Sequence, residues 1–216
     1  MSPQADAEAK CQKIYREAQT FFDQIPHPRY YGFKILNAPP LFQPRVLFVG
    51  YQPAGGDNEF EWETARGSDK HWPPKCEYAT ENWKLAKQMR RMFEQKFLEQ
   101  CVGTNAIFLR FPSVDDYKRT YNKNRREEIE RFCLDRVDRI IEAIDPQKIV
   151  AIGFGTLKLF GASVNDITNE KMNEKRRTLT RKGKIANRTA IATLHLSGAH
   201  ISNFDLNRIR DRILAR

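Results

Sequence analysis

Apolar positions along the chain follow two rhythms. Ile14, Ala18, Phe21 and Phe22 recur at helical spacing between Ala5 and Gln24, where Pro26 and Pro28 stop the pattern. The same spacing predicts a helix from Thr80 to Gln100, with Thr80 as its cap and Trp83, Leu85, Met89, Met92, Phe93 and Phe97 inward. It predicts another from Asn124 to Ile144, a last one from Phe204 to Leu214, and a short one opened by Gly153-Phe154-Gly155 that ends near Gly161. Between these lie compact apolar runs that predict strands at Arg45 to Gly50, Asn105 to Phe111, Ile149 to Ile152 and Ala190 to Leu194. Strands alternating with helices predict an α/β fold, a mainly parallel sheet flanked by helices, with ligands at the carboxyl ends of the strands.

Two segments break the rhythm. The polar stretch from Asp57 to Ala79 holds Phe60, Trp62 and Trp72 without either period, and long unstructured loops are usually functional lids or disordered. From Lys171 to Arg188, eight Lys or Arg face one acid. There Arg181-Lys182-Gly183-Lys184 sits between Thr178-Leu179-Thr180 and Ile185, which predicts a basic β-hairpin with those four residues at its tip.

Charge narrows the choice of partner. The 37 Lys and Arg outnumber the 27 Asp and Glu, giving +10, which favours a polyanion, nucleic acid ahead of an anionic membrane surface. No apolar run approaches the ~20 residues that span a bilayer, and the first residues lack a signal-peptide stretch. The expectation is a cytoplasmic monomer with nucleic acid as its partner and no membrane partner, folded as one domain over residues 1–216. Cys11, Cys76, Cys101 and Cys133 form no C-x-x-C pair, so reduced structural thiols are expected and no metal site.

The chemistry is expected at the strand ends. Val46-Leu47-Phe48-Val49 empties into Gly50-Tyr51-Gln52-Pro53-Ala54-Gly55-Gly56, where the proline stiffens a turn and small residues admit a ligand, unless the segment is an ordinary tight connection. It is neither a Walker A loop nor a dinucleotide fingerprint, since Gly-Lys-Ser/Thr and G-x-G-x-x-G are both absent. Asn105 has two readings: a partner for local backbone, or a planar donor-acceptor pair matched to the edge of a uracil-like base. His195 likewise either makes a structural hydrogen bond or donates to the O2 of a departing pyrimidine. The cluster Lys118, Arg119, Lys123, Arg125 and Arg126 is either solvated surface or a phosphate grip.

Taken together, Val46 to Gly56, Gly103-Thr104-Asn105-Ala106-Ile107-Phe108, Ile149-Val150-Ala151-Ile152-Gly153 and His195-Leu196-Ser197-Gly198 resemble the uracil-DNA glycosylase superfamily in order and separation. The likeness runs from about Val46 to the carboxyl terminus and leaves the first 44 residues outside it. It implies a three-layer α/β/α sandwich around a four-stranded parallel sheet, with a base pocket at the carboxyl edge. The family's Gly-x-Asp/Asn-Pro motif maps onto Gly50-Tyr51-Gln52-Pro53, with Gln52 in place of the acid or Asn. Its His-Pro-Ser motif maps onto His195-Leu196-Ser197, with Leu196 in place of Pro.

The resemblance implies that Gln52 positions water, His195 stabilises the leaving base, Asn105 reads the base edge, and Tyr51, Pro53 and Phe60 line the pocket, with Trp62 the alternative stacking ring. Arg181, Lys182, Lys184, Ser197, Gly198 and His200 are the expected DNA contacts, His200 or Ile201 the wedge that enters the vacated stack. Glutamine is no general base at neutral pH, so slow or altered activity is expected unless Asp57 folds back as the carboxylate. No cofactor is required for this hydrolysis of an N-glycosidic bond. Two alternatives remain at this level: an inactive nucleic-acid-binding relative, and a small-molecule nucleotide-processing enzyme.

Overall fold

The structure, a computed structural model, describes residues 1–26, 32–55, 72–161, 168–172, 177–197 and 201–215. Six strands, β1 (Val46–Gly50), β2 (Cys101–Asn105), β3 (Ile149–Ile152), β4 (Thr168–Met172), β5 (Thr178–Ile185) and β6 (Arg188–Thr193), form one sheet in the order β2-β1-β3-β6-β5-β4. The first four in that order are mutually parallel, and β5 and β4 extend the sheet antiparallel. The four-stranded parallel sheet is therefore present, and the basic hairpin is built into its edge.

Alternation along the strands sorts the core into two layers. Leu47, Val49, Ile149, Ala151, Ala190 and Ala192 pack with helices α1 (Pro3–Asp23) and α6 (Lys123–Ile144) and with Leu157 of α7 (Phe154–Leu159). Val46, Phe48, Val150 and Ile152 face the other way, onto α2 (Glu77–Thr80), α3 (Lys84–Met92), α4 (Gln95–Leu98) and α8 (Asn203–Leu214). With both faces covered, the strands read as unbroken apolar runs, as β1 and β3 do. Caps fix the helix starts: Ser2, Asn122 and Ser202 accept from the backbone N–H of Ala5, Arg125 and Asp205. Helix α5 (Val114–Thr120) starts the same way at Ser113.

Helix α1, outside the resemblance, is an integral part of the core. Phe22 is fully buried, Phe21 stacks on Phe132 of α6 at 3.8 Å, and Arg139 holds Glu17 with two hydrogen bonds of 2.6 and 2.9 Å. Those bonds, ahead of all other influences, keep the Glu17 carboxyl below its ordinary range.

Three expectations are corrected. The segment 80–100 is not one helix: the chain breaks at Glu81 and again at Phe93, both extended, and Thr80 ends α2 rather than capping α3. Strand two is Cys101–Asn105, so Asn105 closes a strand instead of opening one; the apolar run 106–111 is a buried loop tied to its neighbours by isolated bridges at Leu109 and Phe111. Arg181 to Lys184 lie inside β5, and the hairpin turns at Ala186-Asn187, both with positive φ (49° and 58°), the conformation two-residue hairpin turns require. Gly183 marks a close contact, since a Cβ there would stand 2.9 Å from Leu157 Cδ1. All four cysteines are buried and free.

Candidate active site

The loops leaving β1 and β2 run side by side and are laced together. Ala106 and Ile107 donate their backbone N–H to the carbonyls of Gly50 and Tyr51, each at 2.8 Å, and Phe111 N–H reaches the Pro53 carbonyl at 3.4 Å. Gln52 adds a side-chain tie, its Nε2 donating to the Phe111 carbonyl at 3.3 Å. This fixes the Gln52 amide with its Oε1 as a buried acceptor that has no hydrogen-bond partner among the described residues. The apolar run 106–111, a strand by its sequence pattern, is thus the platform on which the Gly50 to Gly55 loop rests.

Asn105 lies over the end of β1. It is 5% exposed, and its Oδ1 sits 2.5 Å from where a Cβ on Gly50 would stand, so only glycine at that position leaves room for it. Its Nδ2 is buried and unpartnered among the described residues. The reading of Asn105 as a satisfier of local backbone therefore does not account for this atom. A buried amide N–H left unmade costs ~1–3 kcal/mol, so a site that supplies an acceptor recovers that energy on binding.

Farther along the carboxyl edge, His195 lies over Gly153. The glycine has φ +91°, and a Cβ on it would stand 3.3 Å from His195 Cδ2. The imidazole Nδ1 is 3.1 Å from Ser197 Oγ. With the serine hydroxyl donating to Nδ1, the tautomer carries its proton on Nε2 and presents a donor. Desolvation, and then the positive charge of Lys84, hold the imidazole pKa below its ordinary value, so the ring is neutral at pH 7.

A cavity of about 510 Å³ opens beside this histidine, walled by Tyr51, Ile152, Gly153, Phe154, Leu194 and His195, with Arg177 and Thr178 at one side. Its lining includes Tyr51 and His195 but not Gln52, Pro53 or Asn105. Tyr51 joins the two parts: its backbone belongs to the laced loop, while its ring reaches the cavity 3.9 Å from where a Cβ on Gly155 would stand. Burial, with Glu130 nearby, raises the Tyr51 phenol above its usual pKa.

The other expected residues are dispersed. In β5, Arg181 shares a face with Gly183 and Ile185 and stacks its guanidinium over the Phe154 ring at 4.3 Å, whereas the exposed Lys182 and Lys184 alternate to the opposite face. Strand geometry thus sets Arg181 on the Phe154 side and pairs Lys182 with Lys184 on the other. The Lys118 to Arg126 cluster is largely spent locally: Arg119 pairs with Asp116 at 2.8 Å, Lys123 with Glu127 at 3.7 Å and Arg125 with Glu128 at 2.6 Å, and Arg126 donates to the carbonyls of Lys118 and Tyr121. Ile201 packs half-buried against the second core layer. Phe60, Gly198 and His200, with Asp57, Trp62 and Ala199, lie outside the described residues.

Phe154 and Arg177 are site residues that sequence reasoning missed. The first carried a signal, as the residue after the strand-ending Gly153, but the second had none beyond its place in a basic run. Compared with models of known protein families and with curated proteins, the sequence matches none. No helix among the described residues is long and apolar enough to cross a membrane.

Proposed function

We propose that this chain is a DNA glycosylase-like hydrolase that extrudes uracil or a related deaminated base and cleaves its N-glycosidic bond at the carboxyl edge of the sheet. The observation that carries the reading is the Asn105 amide, buried, locked over Gly50 and with an unpartnered donor. Such a group discriminates strongly, because a base lacking the matching acceptor leaves the amide N–H unpaired. Nε2–H of a neutral His195 meets charge developing on the departing base, as an oxyanion donor meets developing charge on an acyl oxygen. The Gln52 Oε1 acceptor, fixed from the Phe111 side, orients a water by its carbonyl rather than abstracting a proton.

The test is release of base from single- and double-stranded oligonucleotides carrying uracil, hypoxanthine or xanthine, scored as alkali-labile abasic sites. Base release that Asn105→Ala and His195→Ala each reduce is the expected result. Release indifferent to both substitutions would overturn the assignment of the site. A second reading, nucleic-acid binding without catalysis, is favoured by Gln52, which puts an amide where the resembled family has an acid or Asn. Tight binding that Asn105→Ala weakens, with no abasic sites formed, selects that reading.

A further inference from the structure

A second surface lies beside the site, on helices that contribute nothing to the cavity wall. On α3, Lys84, Lys87 and Arg91 fall on one exposed stripe, opposite the buried Ala86, Met89 and Met92. The stripe spans about 10 Å at ~1.5 Å per residue. Helix α8 packs alongside α3, and the Arg91 guanidinium donates to the Asn203 side chain at the start of α8. One residue on, Phe204 is 60% exposed, with the Arg208 guanidinium 5.7 Å from its ring centroid. Trp83, at the start of α3, is also exposed.

The cations of this surface differ from those of the 118–126 cluster. Lys84, Lys87, Arg91 and Arg208 form no ion pair with any described residue, and Asp211, one helical face along from Phe204, is paired with Arg210 instead. Two helices that meet through Arg91 and Asn203 thus carry four unneutralised cations and an open aromatic ring, with Arg208 beside the ring, which match a polyanion that also carries flat apolar faces. A lipid surface supplies the charge without rings to stack, and an acidic peptide supplies a ring only where it carries an aromatic residue, whereas single-stranded nucleic acid offers a ring with every phosphate. Lys84 also connects the patch to the site, since its charge is felt by His195.

We infer that the joint face of α3 and the first turns of α8 binds single-stranded nucleic acid, Phe204 stacking one base while Lys84, Lys87, Arg91 and Arg208 hold phosphates. This deepens the proposed function by naming the form of substrate: the strand that flanks the extruded base is itself unpaired and leaves the site across this face.

Fluorescence anisotropy of the full chain with labelled undamaged oligothymidylate, with an abasic oligomer of the same length, and with phosphatidylserine vesicles tests the inference. Phe204→Ala is expected to weaken oligothymidylate binding about tenfold, within the ~1–3 kcal/mol that stacking contributes per base, and to leave the abasic oligomer unchanged. The pair Lys87→Gln with Arg208→Gln is expected to weaken both oligomers and to reduce the slope of log affinity against log salt by about 1.4, at ~0.7 per phosphate contact on a single strand. Thermal melting checks that each variant is folded. No effect of Phe204→Ala on oligothymidylate, or an equal loss on the abasic oligomer, overturns the inference, as does loss of vesicle binding alone. The patch and the base pocket are read separately: Phe204→Ala reports on the patch through binding of undamaged oligothymidylate, whereas the pocket is read by release of the damaged base, which Asn105→Ala reduces.

Discussion

At the β1–β2 end of the carboxyl edge, the side chain that closes one strand lies over the glycine that closes its neighbour; at the β3–β6 end a side chain two residues past β6 lies over the glycine that follows β3, in different surroundings. Asn105 over Gly50 is 5% exposed and backed by two laced loops, whereas His195 over Gly153 is exposed at the mouth of a cavity. A buried amide discriminates, because each unmade hydrogen bond costs its full desolvation. An imidazole open to solvent on one side exchanges its proton. On the proposed function the two glycines serve different ends: one clears space for recognition, the other for chemistry.

Breaking the first half has the largest expected effect. Gly50→Ala places a Cβ 2.5 Å from Asn105 Oδ1 and must displace the amide. Base release, or base-dependent binding if the protein is inactive, is expected to fall at least about a hundredfold, equivalent to ~2.7 kcal/mol. The double variant Gly50→Ala with Asn105→Ala has space for the new methyl, so it should fall no further than Asn105→Ala alone. Kinetics of all three variants beside their melting temperatures measure this, and additive losses would mean that Gly50 acts on something other than Asn105.

Breaking the second half costs stability first. At φ +91° a non-glycine residue is strained by ~1–2 kcal/mol, and the added Cβ presses on His195 at 3.3 Å. Gly153→Ala is expected to lower the melting temperature by roughly 2–8 °C in a chain of this size and base release by about tenfold. A variant as stable as the parent would show that the neighbouring backbone absorbs the strain.

How much of this contrast was legible in the sequence depends on what each half is made of. The His195 half is built from strands with a plain apolar signature, Ile149 to Ile152 followed by Gly153 and Ala190 to Leu194 followed by His195, and period and position sufficed. The Asn105 half was legible in its residues but not in its backbone. Cys101-Val102-Gly103-Thr104-Asn105 is a poor strand by composition, and Ala106 to Phe111 a good one, yet the first pairs with β1 and the second is a loop. A short apolar run means burial and not strand, and this loop is buried because residues 32–36 and 50–54 cover it on two sides. In β5 the error had the opposite source: Gly183 suggested a turn, but its missing side chain accommodates Leu157, and the turn uses Ala186-Asn187. The Phe204 face was out of reach, because only the packing of α8 on α3 sets Asn203, and with it the first turn of α8, against Arg91.

The smallest expected effect is electrostatic and separates the two causes that act on His195. Desolvation is the larger and Lys84 the smaller, and both lower its pKa, so Lys84→Gln should return the pKa only part of the way towards its ordinary value. Stability is linked to the same shift. A histidine that binds its proton less readily folded than unfolded contributes stability above the unfolded value near ~6.5, and that contribution is lost as pH falls towards the lower folded pKa. Lys84→Gln therefore narrows the acid loss. The chain has four histidines, so the Cε1–H resonance of His195 is assignable by its loss in His195→Gln and can be titrated directly. An unchanged midpoint would place the Lys84 ammonium out of range of the imidazole, and so remove the link between the cationic face of α3 and the cavity. A full return to the ordinary value would instead make charge, not burial, the cause, and exclusion of water would then govern Asn105 but not His195.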